Sequence, residues 1–83
     1  MMNKSRITYP CRWSFTLIGS DETDMRAAAA DCLGARDYGL EWSRQSRSGR
    51  YTSLHLDTTV ESEAARNRLF AALKARPAIK MVL

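Results

Sequence analysis

Eighty-three residues, 45% hydrophobic and 27% charged, describe one ordinary globular domain with room for a single core and none for an enclosed catalytic cavity. The longest apolar run is Leu69 to Leu73, far too short to span a membrane, and Met1 to Thr8 lack the apolar middle of a secretory signal, so the cytoplasm is the expected compartment. The net charge of +4 is moderate and unevenly spread: between Glu41 and Asp57 the only charged residues are Arg44, Arg47 and Arg50.

Residues 1–9, with Lys4 and Arg6, are read as a mobile arm ending at Pro10, and residues 10–83 as the single domain. From Arg12 to Ile18, Trp13, Phe15 and Leu17 alternate with Arg12, Ser14 and Thr16, which is the period of two of a half-buried strand. Gly19 ends it. Ser20 to Asp24 then supply acceptor oxygens and negative charge where the free amides of a helix start would lie. That helix runs to about Leu33, with Met25, Ala28, Ala29, Cys32 and Leu33 as its apolar stripe and Gly34 as its stop. Cys32 is expected to pack as a small core residue. With Cys11 and the lone His55 it makes too poor a ligand inventory for a metal site.

After a turn at Asp37-Tyr38-Gly39, a second strand places Leu40, Trp42, Arg44 and Ser46 on one face and Glu41, Ser43 and Gln45 on the other. Arg47-Ser48-Gly49-Arg50 makes the next turn, where Gly49 can take a positive φ. In the third strand, Tyr51 to Thr58, residues Leu54, Leu56 and Thr58 face inward, while Tyr51, Ser53, His55 and Asp57 face outward. A second helix spans about Glu61 to Ala75 with Ala65, Leu69, Phe70, Ala72 and Leu73 as its inner face, and Pro77 closes it. The last strand, Ile79 to Leu83, is expected to turn Ile79, Met81 and Leu83 to the core and Lys80 and Val82 to the other face.

Strand, helix, strand, strand, helix, strand is the order of the α+β, ferredoxin-like βαββαβ sandwich: a four-stranded antiparallel sheet with two helices on one face. Right-handed crossovers set the terminal strand beside the first. Tyr9-Pro10 before the first strand, Ile18-Gly19 after it, Ser46-Arg47-Ser48-Gly49-Arg50-Tyr51 at the hairpin and the final Lys80-Met81-Val82-Leu83 resemble the YbeD-like family of small bacterial proteins of unknown function. The resemblance implies an ACT-like sheet. It brings no enzymatic activity, cofactor or ligand with it.

Three surfaces are candidates for function. The first reading is a non-enzymatic regulatory or protein-interaction module. It would act on a protein partner or a second copy through the open sheet face, with Tyr51 and His55, and through an edge strand at Ile79, Met81, Val82 and Leu83. A second is salt-dependent RNA binding through Arg44, Arg47 and Arg50, against which Ser14 and Thr16 count, because they stand where stacking aromatics would be needed. A third is amino-acid sensing at Gly19, Ser20 and Asp21, where a helix N-terminus could receive a carboxylate. Catalysis is not expected: Ser53, His55 and Asp57 stand two apart on one strand face, about 7 Å from neighbour to neighbour and parallel, too far for a proton relay.

Overall fold

Strict alternation carries β1, Cys11–Gly19, through nine residues, with Phe15, Leu17 and Gly19 buried on one side and Arg12, Ser14, Thr16 and Ile18 on the other. The structure, a computed structural model, describes residues 10–83, and the expected N-terminal arm lies outside the described residues. Helix α1, Glu22–Leu33, starts where Asp21 accepts a hydrogen bond from the Asp24 amide at 3.0 Å. It ends at Gly34, whose φ of 57° lets its amide bond the Ala30 carbonyl at 2.9 Å. Its buried residues are Met25, Ala28, Ala29 and Leu33, the stripe the sequence predicts. Cys32 is only half-buried at the rim of that stripe, so it packs against the core without entering it.

Strands β2, Tyr38–Gln45, and β3, Thr52–Val60, form the hairpin. Helix α2, Glu63–Lys74, follows the Ser62 cap, and β4 is Met81–Val82. The sheet order is β2-β3-β1-β4, every neighbouring pair antiparallel, so the terminal strand does lie beside the first. This is the ferredoxin-like α+β architecture. Its one core fills the space between the sheet and the helices: Phe15, Leu17, Leu54, Leu56 and Val60 from the strands meet Met25, Ala29, Leu33, Leu69 and Leu73 from the helices. Burying each large apolar side chain contributes roughly 1.5–3 kcal/mol, the main term holding the layers together. Phe70, expected on the inner face of α2, is half-buried and stacks on Phe15 with ring centroids 6.3 Å apart, while Ala72 is exposed.

Two expectations about which way residues face are corrected. In β4, Val82 is buried opposite Leu17, whereas Met81 and Leu83 point to the open side, the reverse of the predicted parity. The cause lies in the α2–β4 connection. Ile79 sits in a turn, its amide bonded to the Arg76 carbonyl, and already fills the core, so alternation begins only at Met81. The edge strand is consequently two residues long, although Leu83 still exchanges both main-chain hydrogen bonds with Thr16 at 2.8 and 3.0 Å. In β2 the register shifts between Trp42 and Arg44: Trp42 lies opposite the core residue Leu54, but Arg44 lies opposite the outward-facing Ser53. Trp42, grouped with Leu40 on one face of the strand, is 53% exposed, because an edge strand has a neighbour on one side only.

Candidate interaction surface on the open sheet face

Register across four strands determines what the open face carries. One row reads Met81, Ile18, Ser53 and Arg44; the next reads Leu83, Thr16, His55 and Glu41; a third holds Ser14, Asp57 and Gly39. Met81 is 51% exposed, Leu83 65% and Tyr51 43%, and Ile18 is half-buried between Met81 and Ser53. Ile18, Met81 and Leu83 therefore adjoin one another at the β4 side of a face that in an antiparallel sheet is normally polar, and Tyr51 stands at the hairpin end of the same face.

The same end carries positive charge. A depression of about 360 Å³ is lined by Ile18, Tyr51 and Ser53 on its sheet side and by Arg44 and Arg47 toward the hairpin tip. The tip is held by Ser46, whose amide donates to the Tyr51 carbonyl at 2.8 Å and whose hydroxyl accepts from the Tyr51 amide at 3.1 Å. Gly49, at φ 76°, supplies the positive-φ residue the turn needs. Arg50 is exposed at the same tip but does not line the depression. Among the described residues none of these three arginines has a carboxylate within salt-bridge reach. Arg26, Arg36, Arg66 and Arg76 pair with Glu22, Glu61, Glu63 and Asp31 respectively.

The remaining sequence candidates fall elsewhere. Ile79 and Val82 belong to the core, so the expected edge-strand site retains only Met81 and Leu83 at the surface. His55 is exposed mid-face between Thr16 and Glu41, while the Asp57 carboxylate accepts a hydrogen bond from the Ser14 hydroxyl across the strands at 2.5 Å. Asp57 is therefore engaged away from His55, and no relay forms. Gly19 is buried, and a Cβ built on it would meet Met25 and the Ala78 carbonyl, so its role is close packing. Ser20 and Asp21 line a cleft of about 500 Å³ with Asp24, facing Arg76 and Lys80. There the Asp21 carboxylate already occupies the helix N-terminus and Asp24 adds a second negative charge, so an incoming carboxylate gains little.

Among the described residues no group of three or more His, Cys, Asp or Glu gathers as a metal site, and no helix is long and apolar enough to cross a membrane. Both cysteines are free, and burial pushes the Cys32 thiol up, opposed by nearby Arg76. Two features escaped the sequence reading. One is the exposed Trp42. The other is a groove of about 380 Å³ beside β1 lined by Trp13, Phe15, Phe70 and Leu83, where the Arg66 guanidinium stands 4.6 Å from the Trp13 ring centroid. Neither has a periodic signal, because both depend on which strands and helices become neighbours.

Fold and surface together define, over the described residues, a small α+β domain with one face of its sheet open. The chain belongs to the DUF493 family of proteins of unknown function, whose sequence profile matches residues 4–83. This agrees with the YbeD-like resemblance, since YbeD belongs to the UPF0250 group to which relatives of this chain are assigned. A UPF0250 protein of Hahella chejuensis is 33% identical over 82 residues, covering 94% of this chain and 90% of the relative. The uncharacterized protein Cj0253 of Campylobacter jejuni is 30% identical over 76 residues, covering 92% and 87%. The solution structure of HP0495 from Helicobacter pylori has the same fold, with a TM-score of 0.82, 22% identity and coverage of 96% of this chain and 88% of that one.

Proposed function

We propose that this domain is a non-enzymatic interaction module whose working surface is the open sheet face around Ile18, Met81, Leu83 and Tyr51, engaged by a protein partner or a second copy of the chain. The observation that carries the reading is the adjacency of Ile18 and Met81 in one row of a solvent-facing sheet, with the exposed Leu83 in the next row and the exposed Tyr51 sharing a depression with Ile18. Keeping them in water forfeits about 25 cal/mol for each Å² that a partner would cover. The short β4 shifts emphasis from edge pairing to the face itself, because two residues offer a poor template for an added strand.

Photo-crosslinking in cells tests this. Benzoylphenylalanine placed at Met81 should give discrete adducts, whereas the same group at the exposed Ala71 on α2 should give none. An adduct at twice the protomer mass identifies a homodimer and any other discrete mass a separate protein. Equal labelling at the two positions, or none at Met81, rejects the reading.

A further inference from the structure

Resting on that reading of the open face, we infer that its Arg44–Arg47 end receives an acidic, apolar segment of a partner polypeptide, with carboxylates on the two guanidinium groups and an apolar side chain in the depression against Ile18 and Tyr51. The β2 bulge is what creates the site. Unbroken alternation would put Arg44 on the helix side with Trp42, and the register shift instead sets it opposite Ser53, on the row that contains Ile18 and Met81. The Ser46-closed tip fixes Arg47 and Tyr51 around the same depression. From Trp42 to Leu56 the chain has no acid, and Glu41 in the adjoining row of the open face forms no ion pair with Arg44, while four arginines elsewhere each hold a carboxylate. Guanidinium groups grip carboxylates in a bidentate fork, and Arg and Tyr beside an apolar floor are the residue types that dominate protein interfaces.

Charge argues against the other occupants. A second copy docking on this end would set arginine against arginine, a like-charge arrangement that interfaces avoid. A nucleic-acid strand held by more than its phosphates stacks its bases on successive aromatic platforms, and among the described residues Tyr51 has no aromatic companion in the depression, since Trp42 lies on the opposite side of the sheet and Ile18 and Met81 are aliphatic.

The test is fluorescence anisotropy with a fluorescein-labelled Glu-Leu-Glu-Phe-Glu-Leu-Glu peptide, its Gln-for-Glu counterpart and labelled decauridylate, at about 50 mM salt. The acidic peptide should bind, and the glutamine peptide should bind about tenfold more weakly or worse. The double variant Arg44→Glu/Arg47→Glu should lose about tenfold, whereas Arg68→Glu/Lys74→Glu, the same charge change on exposed α2 positions, should lose less than about twofold. Because a variant can fail by misfolding, the parent protein is also titrated by NMR, where shifts should concentrate at Ile18, Tyr51 and Ser53. Equal losses in the two double variants, shifts elsewhere, or tighter binding of decauridylate through Arg44 and Arg47 would overturn the inference. Absence of peptide binding while Met81 still crosslinks would overturn the acidic chemistry and leave the open-face reading standing.

Discussion

Replacing Gly19 with alanine distinguishes a glycine needed for packing from one that shapes a ligand turn. Gly19 does not have a positive φ, so alanine is compatible with its backbone and only space is at issue. A Cβ there would lie 2.8 Å from the Met25 sulfur and 3.0 Å from its Cγ, and would also run into the Ala78 carbonyl oxygen. Met25 is fully buried and could yield only by leaving its rotamer, and the Ala78 carbonyl is main chain next to the turn that seats Ile79. Relief therefore requires pushing the α2–β4 connection away from the end of β1. Overpacking of this kind destabilises by about 1–3 kcal/mol, and a main-chain obstacle argues for at least the middle of that range, about 2 kcal/mol. For a domain of this size that lowers Tm by roughly 8–16 °C. Urea and thermal unfolding followed by circular dichroism would measure it, with Gly39→Ala as the internal control. A Cβ on Gly39 meets nothing within 4 Å, and that variant should be neutral or gain up to about 1 kcal/mol. A Gly19→Ala protein within about 0.5 kcal/mol of the parent would refute the packing account.

The reversed parity of β4 predicts that Val82→Lys, which buries an ammonium opposite Leu17, destabilises by about 2 kcal/mol or more, while Met81→Lys stays within about 0.5 kcal/mol; matched urea titrations decide it. Trp42→Ser should likewise change stability by less than about 0.5 kcal/mol yet remove most acrylamide-quenchable fluorescence, since Trp13 is half-buried beneath Arg66. The Glu61 carboxyl is held below its ordinary value of 4.5, first by its own backbone amide and then by Arg36. Its contribution to stability is therefore present above the unfolded value and is lost as pH falls through the depressed folded value. Glu61→Gln should lower Tm slightly at neutral pH, and the difference from the parent should vanish in acid; a difference that grew below pH 4.5 would contradict the assignment.

Where one local rule governs a residue, sequence and structure agree. Period-two alternation fixes the faces of Phe15 and Leu17 in β1 and of Leu54, Leu56 and Thr58 in β3, because each of these strands is central and has a partner on both sides. The three-and-four spacing of Met25, Ala28, Ala29 and Leu33 identifies the buried side of α1, and the Asp21 and Gly34 caps mark its ends through hydrogen bonds closed within a few residues. The element order then leads to the ferredoxin-like sheet, since right-handed crossovers leave few alternatives. The arginine-bearing, acid-free segment was also visible as a charge pattern.

What the chain by itself determined was thus the elements, their order and the inward residues of the central strands. Tertiary structure decided the edges and, with them, the candidate site. A strand of one or two pairs has no long pattern to average over, so the parity of Met81 and Val82 was set by how Ile79 seats in the preceding turn and by Val82 meeting Leu17. A bulge adds one residue to one strand only, and alternation along β2 contains no sign of it until β3 supplies the register. Those two long-range choices turned Met81, Leu83 and Arg44 onto the open face beside Ile18, and a side chain's neighbour across a sheet is a property of pairing between strands, which local sequence does not encode.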